Sequence, residues 1–221
     1  MATADTVHNG RGTPSPASLA LLLATALLAL FLAAAHHARP APFGDRLTVH
    51  PAARHARGAA DAPARLHLAP DGLEAYDPAT GARRWTYART GHRPLQARTA
   101  RDRALALWDD GLVTGTALHD GALSVWHRGV PGAAARPARL AALHLLGPQP
   151  GAVAVVTPQL ITAYGPGDGG LRWHREAGPG CAFDPARTAH RAGVLLIARH
   201  CAPGAPWTSC IAAVSEAGPF A

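Results

Sequence analysis

A pattern ending in tryptophan recurs along this chain and restricts its fold more than any other feature does. Leu73–Trp85 and Ile161–Trp173 align without a gap, 88 positions apart. A third copy, Val113–Trp126, lies between them and is one residue longer, and a fourth begins at Ile211. The period is therefore in the low-to-mid forties, which is typical of stacked four-stranded sheet units.

Each copy has the local chemistry of two strands joined by a turn. An apolar, alternating stretch predicts the first strand, and the tryptophan belongs to the second. In the first copy Asp77 can bond its own backbone, Pro78 fixes φ and Gly81 tolerates positive φ, which favours a turn. Short apolar runs upstream raise the count to about four strands per repeat: Arg103–Trp108, Ala152–Val156 and Gly193–Ala198. One such sheet cannot cover both of its faces, so we expect neighbouring sheets to stack with the tryptophan in the joint.

The first copy, Tyr76-Asp77-x-x-Thr80-Gly81-x-x-x-Trp85, resembles the docking motif of pyrroloquinoline-quinone-repeat β-propellers. The other copies are degenerate but keep a tryptophan and a glycine-containing turn, with these matching residues: Gly121 and Trp126 in one, and Tyr164, Gly169 and Trp173 in the other. The resemblance implies an all-β fold, a partial propeller of about three to four blades over residues 65–221. It also implies that the tryptophans are structural residues between blades.

Members of this family close a larger ring than residues 65–221 can supply at ~40–45 residues per blade. An unclosed ring leaves unpaired strand edges and uncovered sheet faces. A truncated relative is the first explanation, completion by another copy or by a partner is the second, and a marginally folded domain is the third. The oligomeric state stays open.

The run from Ala17 to Ala35 predicts a transmembrane helix. It carries no charge, and nineteen residues at the helical rise span about 28 Å, close to the hydrocarbon core of a bilayer. We expect an uncleaved signal-anchor preceded by a short tail, residues 1–16. Cleavage at the A-x-A-like site Ala33–Ala35 is the alternative.

Residues 36–64 are rich in Ala, Pro, Arg and His and are predicted to be a flexible linker to the repeats. On the family resemblance, we expect a single-pass protein of the cell membrane whose C-terminal domain is exported. The count of arginines around the apolar run favours the opposite orientation, but large domains are translocated with little regard to such charges.

The three cysteines do not have the spacing of a zinc site. If the segments around Cys181 and Val194–Cys201 are adjacent antiparallel strands, Cys181 lies opposite Cys201, which is the closeness that a disulfide needs. Cys201 with Cys210, across a Pro/Gly turn, is the competing pair. An exported domain permits either bond.

The sequence predicts no catalytic residues, no cofactor and no metal site. His127 and His174 follow the repeat tryptophan in different copies, so they are equivalent positions and not neighbouring ligands. The arginines are scattered among acidic residues, which argues against nucleic-acid binding. The prediction is a non-catalytic, membrane-anchored, extracytoplasmic scaffold or binding protein of unknown ligand, whose binding surface serves a protein or another component of the cell envelope. The alternatives are a degenerate remnant of a quinoprotein oxidoreductase and a truncated reading frame without independent function.

Overall fold

The structure is a computed structural model, and it describes residues 16–37, 43–50, 64–118, 125–131, 141–147, 149, 151–201 and 210–220. The chain divides into two compact units, Met1–Ala41 and Pro42–Ala221.

The described residues of the first unit form a helix, α1, which spans Pro16–His37. Its large apolar side chains are 59–72% exposed along the helix: Leu21, Leu22, Leu23, Leu27, Leu28, Leu30, Phe31 and Leu32. Within the described part of the chain, no helix is both long enough and apolar enough to cross a membrane.

The second unit is built from β-strands. Its described strands are β1 (Asp45–Val49), β2 (Arg65–Ala69), β3 (Gly72–Tyr76), β4 (Arg83–Arg89), β5 (Pro94–Ala100), β6 (Arg103–Trp108), β7 (Leu112–Ala117), β8 (Trp126–Gly129), β9 (Ala142–Leu146), β10 (Ala152–Val156), β11 (Leu160–Tyr164), β12 (Leu171–Glu176), β13 (Ala182–Arg191), β14 (Val194–His200), β15 (Ile211–Ser215) and β16 (Gly218–Pro219). They form four antiparallel, four-stranded sheets with the orders β1-β4-β3-β2 (sheet 1), β5-β6-β7-β8 (sheet 2), β9-β10-β11-β12 (sheet 3) and β13-β14-β15-β16 (sheet 4). The prediction of a mostly β architecture is confirmed, and the four four-stranded antiparallel sheets are consistent with a partial propeller.

The prediction of a flexible linker over residues 36–64 is wrong for one part of it, because Asp45–Val49 forms β1. This strand pairs antiparallel with β4, from Asp45 opposite Arg89 to Val49 opposite Trp85. The physical reason is that β4 offers an open edge of N–H and C=O groups, which a short alternating segment can satisfy. Five residues are too few to show a period in the sequence alone.

The three tryptophan-bearing strands occupy equivalent positions. The same cross-strand pairing recurs in three sheets: Ala75 with Trp85, Gly115 with Trp126, and Ala163 with Trp173. By this register β2-β3-β4 correspond to β6-β7-β8 and to β10-β11-β12. Sheet 1 therefore has no described strand at the position of β5, β9 and β13, and it has β1 at the opposite edge.

We call the face that carries the tryptophan position the front face of a sheet, and the other its back face. The front face of each of the first three sheets packs on the back face of the next, and each joint has its own apolar cluster. Across each joint the indole N–H donates to the same carbonyl position of the following sheet: Trp85 to Leu118 at 3.0 Å, Trp126 to Pro166 at 2.9 Å, and Trp173 to Glu216 at 3.3 Å. The repeat in the sequence is thus a repeat of sheet-to-sheet contacts.

Candidate binding site

The turns at one end of sheets 1 and 2 form the walls of an open cleft of about 430 Å³. Its lining comes from β1, the β2–β3 turn, the β4–β5 connection and the residue after β6: Arg46, Pro70, Asp71, Ala88, Arg89, Thr90, Gly91, His92, Arg93 and Asp109. Gly91 has φ +79°, a conformation that favours glycine and lets the chain turn sharply from β4 to β5.

Arg89 forms the base of the cleft. Its side chain is only 3% exposed, and its two terminal nitrogens each lie 2.9 Å from a carboxylate oxygen of Asp110. The guanidinium also lies 5.2 Å from the centre of the Trp108 ring. The bidentate ion pair with Asp110 and the contact with the Trp108 ring together fix the Arg89 side chain in one position. The base of the cleft is therefore rigid.

His92, Asp109 and Asp110 lie close enough together to raise the question of a metal ion. Asp110 already accepts two hydrogen bonds from Arg89 and a third from the backbone N–H of Leu112. His92 directs Nδ1 at Asp109, 3.2 Å away, and Nε2 at Asp110, 3.7 Å away. Both ring nitrogens of His92 and the Asp110 carboxylate already have partners within the chain, so this geometry fits a network of polar contacts.

The ionisation of Asp110 agrees with that interpretation. Burial disfavours its charged form, but the hydrogen bonds from Arg89 and from the Leu112 N–H outweigh burial and lower the pKa of the carboxyl group. The carboxylate is thus held ionised as the partner of Arg89.

The exposed rim of the cleft carries two further arginines. Arg93 lies 3.8 Å from Asp109, with half of its side chain exposed. Arg46 is exposed on β1 and makes no ion pair with any residue that the structure describes. A guanidinium with unused donors at the mouth of a rigid cleft can bind a carboxylate.

A second polar cluster joins β1 to sheets 1 and 2. The Tyr87 hydroxyl donates to Asp45 at 2.8 Å, and His127 Nε2 lies 2.7 Å from the other oxygen of Asp45. Phe43 stacks on the His127 ring with 4.2 Å between centroids. Burial, and then the bond to Asp45, raise the pKa of the Tyr87 hydroxyl, so it stays protonated as a donor. The cluster secures β1, and with it Arg46, beside the cleft.

The motif residues of the first copy organise the turn between β3 and β4. Asp77 is 3% exposed; one of its oxygens accepts from the N–H groups of Ala79 and Thr80, and the other accepts from Arg84. The bond from Arg84, and then that from Thr80, lower the pKa of Asp77 to about 2. Gly81 has φ +71° and donates its N–H to the Asp77 carbonyl.

The two motif tyrosines have different environments. Tyr164 is 4% exposed and faces sheet 2, where its hydroxyl lies 3.4 Å from the Gly129 carbonyl. Tyr76 lies on the back face of sheet 1, which has no described sheet behind it, and its hydroxyl donates to Glu74 at 2.6 Å. Gly121 lies outside the described residues. None of the other motif residues lines the cleft.

The structure contains a disulfide between Cys181 and Cys201, and Cys210 is a free, half-buried thiol. The bond ties the start of β13 to the end of β14, the two strands that run antiparallel from Ala182 opposite His200. It lies in sheet 4, away from the residues of the cleft.

Sequence reasoning missed a pair of histidines at the joint of sheets 3 and 4. His144 Nδ1 on β9 lies 3.2 Å from His190 Nε2 on β13. Burial, the charge of His190 and the charge of Arg98 lower the pKa of His144 to about 4. The two residues are one repeat apart and occupy the first strands of successive sheets, which was the signal available in the sequence.

This pair gives the stability of the protein a dependence on pH. The pKa of His144 is lower in the folded than in the unfolded chain, so the unfolded chain binds the proton first as the pH falls. We expect about 2 kcal/mol of folding free energy to be lost through this group between pH 7 and pH 5, and more as the pH approaches 4. Urea unfolding at both pH values should show a smaller loss for His144→Gln. The exposed His174→Gln is the matched control, and an unchanged loss in His144→Gln contradicts the assignment.

Comparisons with known proteins give likenesses of fold. No family model matches the chain, and no curated protein matches it. Among solved structures it is similar to BamB from Moraxella catarrhalis, with a TM-score of 0.48 and 15% identity over 70% of this chain and 46% of that one. It is also similar to Hsv2 from Kluyveromyces lactis, with a TM-score of 0.43 and 12% identity over 71% and 49%.

A third similar structure is that of the mitotic checkpoint complex, with a TM-score of 0.36 and 8% identity over 81% of this chain and 67% of that chain. The chain spans about half the length of the first two proteins.

Proposed function

We propose that this protein is a non-catalytic scaffold that binds an acidic segment of a protein partner in the cleft between sheets 1 and 2. The observation that carries the proposal is the position of Arg46, a cation without a described ion-pair partner at the mouth of a cleft whose base is fixed by Arg89. A bound carboxylate would give Arg46 the partner that the chain itself does not supply. The open shape of the cleft suits an extended peptide rather than an enclosed small molecule.

A peptide selection tests the proposal directly. Random peptides displayed on phage are selected on the full chain alone, and the affinities of the enriched peptides for the full chain and for the Arg46→Glu variant are then measured. We expect the enriched peptides to be acidic and to bind Arg46→Glu at least about tenfold more weakly, because the reversed charge repels their carboxylates. Arg101→Glu is the matched control, since Arg101 is also exposed but lies outside the cleft. Enriched peptides that bind all three proteins equally contradict the proposal.

We also propose that the scaffold is attached to a membrane and that its second unit is exported. Support for attachment comes from the uncharged run of residues 17–35 and from the exposed leucines of α1, because a helix surface of this kind is stable in an apolar medium. Support for export comes from the Cys181–Cys201 disulfide, since such bonds persist in oxidising compartments.

Two measurements test these statements separately. Deleting residues 17–35 should release the protein from carbonate-washed membranes. A C-terminal fusion to alkaline phosphatase, which is active only after export, should be active. Release of the intact chain by carbonate contradicts attachment, and an inactive fusion in a membrane-bound protein contradicts export.

A further inference from the structure

Strand β1 lies at one edge of sheet 1 and has a neighbouring strand on one side only. The order of the sheet is β1-β4-β3-β2, and among the described strands only β4 pairs with β1. We call the side of β1 that faces away from β4 its outer edge. The backbone groups along an unpaired edge of this kind can bond to a further strand.

The hydrogen bonds at the two ends of the β1–β4 pair show which backbone groups point to the outer edge. The N–H of His50 donates to the Arg84 carbonyl at 2.8 Å, and the N–H of Thr90 donates to the Gly44 carbonyl at 2.9 Å. In an antiparallel pair such bonds recur at every second residue, so the even-numbered residues of β1 bond to β4. The odd-numbered residues direct one N–H and one C=O group each to the outer edge: Asp45, Leu47 and Val49.

The side chains of β1 alternate in the same way between the two faces of the sheet. Leu47 and Val49 lie on the front face with Trp85, and both pack against the apolar cluster of the joint with sheet 2. Arg46 lies on the back face and is exposed. A strand on the outer edge would therefore have apolar neighbours on its front face and a guanidinium beside its back face.

Side-chain contacts hold β1 in place at the end beside the cleft. The carboxylate of Asp45 accepts a hydrogen bond from Tyr87 at 2.8 Å and lies 2.7 Å from His127 of sheet 2. The hydroxyl of Thr90 donates to the Gly44 carbonyl at 3.2 Å. Because β1 is already ordered by these contacts, a segment that binds to its outer edge loses only its own conformational freedom.

The charge of the protein selects the occupant of the outer edge. Arg46 has no ion-pair partner among the described residues, and the whole chain carries a formal charge of +7. A second copy of this basic chain is therefore repelled, whereas an acidic segment is attracted. In an added strand the residue opposite Arg46 has its Cβ atom roughly 5 Å from that of Arg46. A glutamate or aspartate at that position can form an ion pair with the guanidinium.

We propose that the acidic segment of the partner binds as an additional strand on the outer edge of β1, antiparallel to it. Apolar side chains of the segment lie beside Leu47 and Val49 on the front face, and a carboxylate lies opposite Arg46 on the back face. This inference rests on the proposed function, because it specifies the conformation and the residue pattern of the segment bound there. The segment matches β1 in length, at about five residues. Its backbone bonds contribute to affinity, and its alternating side chains give specificity.

Calorimetric titration of the full chain, in one neutral detergent throughout, tests the residue pattern. The probe is the capped heptapeptide Thr-Val-Glu-Val-Glu-Val-Thr, whose valines and glutamates lie on opposite faces of a strand. Its matched control has the same composition in the order Val-Val-Glu-Glu-Val-Thr-Thr. We expect the alternating probe to bind at least about tenfold more tightly than the control and at least about tenfold more tightly than it binds Arg46→Glu. Equal affinity for the two peptides would overturn the inference.

Methylation of single backbone amides of the probe tests the added strand itself. With a glutamate opposite Arg46 in an antiparallel strand, the N–H groups of the valines point to β1 and those of the glutamates point to solvent. N-methylation of the central valine should weaken binding at least about tenfold, because it removes a donor and keeps the two strands apart. N-methylation of the adjacent glutamate is the matched control and should change the affinity by less than about twofold. Equal losses at the two positions would overturn the inference.

A substitution in β1 tests the same bonds from the side of the protein. The N–H of Leu47 points away from β4, so Leu47→Pro removes a donor from the outer edge and leaves the bonds to β4 in place. Leu47→Ala is the matched control, because it also loses the apolar contacts but keeps the N–H. The probe should bind Leu47→Pro at least about tenfold more weakly than Leu47→Ala. Circular dichroism melting checks that both variants are folded, and the methylated peptides decide the question if Leu47→Pro is not.

The inference and the proposed function can fail separately. Acidic peptides from the phage selection that depend on Arg46 but tolerate N-methylation at every position would support the proposed function and overturn the added strand. The same conclusion follows if those peptides bind and the alternating probe does not. Self-association of the full chain that Leu47→Pro abolishes and Leu47→Ala does not would assign the outer edge to a second copy, and would overturn the inference as well.

Discussion

Trp85→Ala is expected to lower the free energy of unfolding by about 3–5 kcal/mol, whereas the same substitution at Trp173 should lower it by about 1–2 kcal/mol. The two residues are equivalent in the repeat and make the same type of bond to the next sheet. They differ in burial, because Trp85 is fully buried and Trp173 is half-buried. The comparison therefore holds the chemistry constant and varies the environment.

The large effect at Trp85 has two sources. The indole belongs to the buried cluster that also contains Ala104 and Ala106 of sheet 2 and Leu118, so alanine leaves a cavity in a joint that is held from both sides. The carbonyl of Leu118 also loses the donor that lies 3.0 Å away in a buried environment. At Trp173 the bond is longer, at 3.3 Å, and exposed to solvent. Water can replace it there.

Chemical unfolding followed by far-ultraviolet circular dichroism measures both variants. Trp85→Phe separates the two sources, because it restores most of the ring volume without the N–H donor; we expect it to recover more than half of the loss. Equal losses at Trp85 and Trp173 would contradict the assignment of Trp85 to a closed joint. So would a Trp85→Phe variant that is no more stable than Trp85→Ala.

The repeat tryptophans made the arrangement of sheets predictable from the sequence. Tryptophans spaced by about one repeat length indicate one sheet-to-sheet joint per repeat. The apolar runs between them are strands, and the run Arg103–Trp108 is β6. The acceptors of the indole N–H groups could not be predicted in the same way. Leu118, Pro166 and Glu216 share no side-chain chemistry, and each acts through its backbone carbonyl.

The candidate cleft was not predictable from any local pattern. Arg89 and Asp110 bind each other across 21 positions of sequence, and Arg46 reaches the cleft only because β1 pairs with β4. That pairing joins Asp45 to Arg89, over 44 positions, through backbone groups that every residue has. A sequence shows which side chains are charged, but it does not show which strand edge a short segment will choose.

The first copy of the motif was the best match in the sequence, yet its tyrosine has the least typical environment. Tyr76 bonds Glu74 on an outer polar face, while Tyr164, in a degenerate copy, lies in a joint. The difference follows from position in the stack, because sheet 1 has no described sheet behind it. The close match to the motif therefore predicted the turn formed by Asp77 and Gly81, but it did not predict the burial of the strand residues beside that turn.

Gly115→Ala is expected to destabilise the protein by about 2–3 kcal/mol, although alanine is favoured over glycine in a strand. A Cβ atom at Gly115 would overlap the indole of Trp126. The ring cannot move to the other side, because a Cβ position at Gly169, in the β11–β12 turn of sheet 3, lies only 2.6 Å from it. Its N–H is held by the Pro166 carbonyl at 2.9 Å. Trp126 is thus enclosed between two glycines of different sheets.

Gly129→Ala in the neighbouring strand β8 is the matched control, since a Cβ atom there would meet nothing within 4 Å. It should change the free energy of unfolding by less than about 0.5 kcal/mol. In a Trp126→Phe background the smaller ring leaves room for a Cβ atom, so Gly115→Ala should lose most of its effect on the free energy of unfolding. The difference between the effects of Gly115→Ala in the two backgrounds is the coupling energy of the pair. If Gly115→Ala has the same effect in the wild type and in the Trp126→Phe variant, the indole of Trp126 is not enclosed as described. That result would also contradict the interpretation that a small residue opposite the tryptophan provides the space in which one sheet docks on the next.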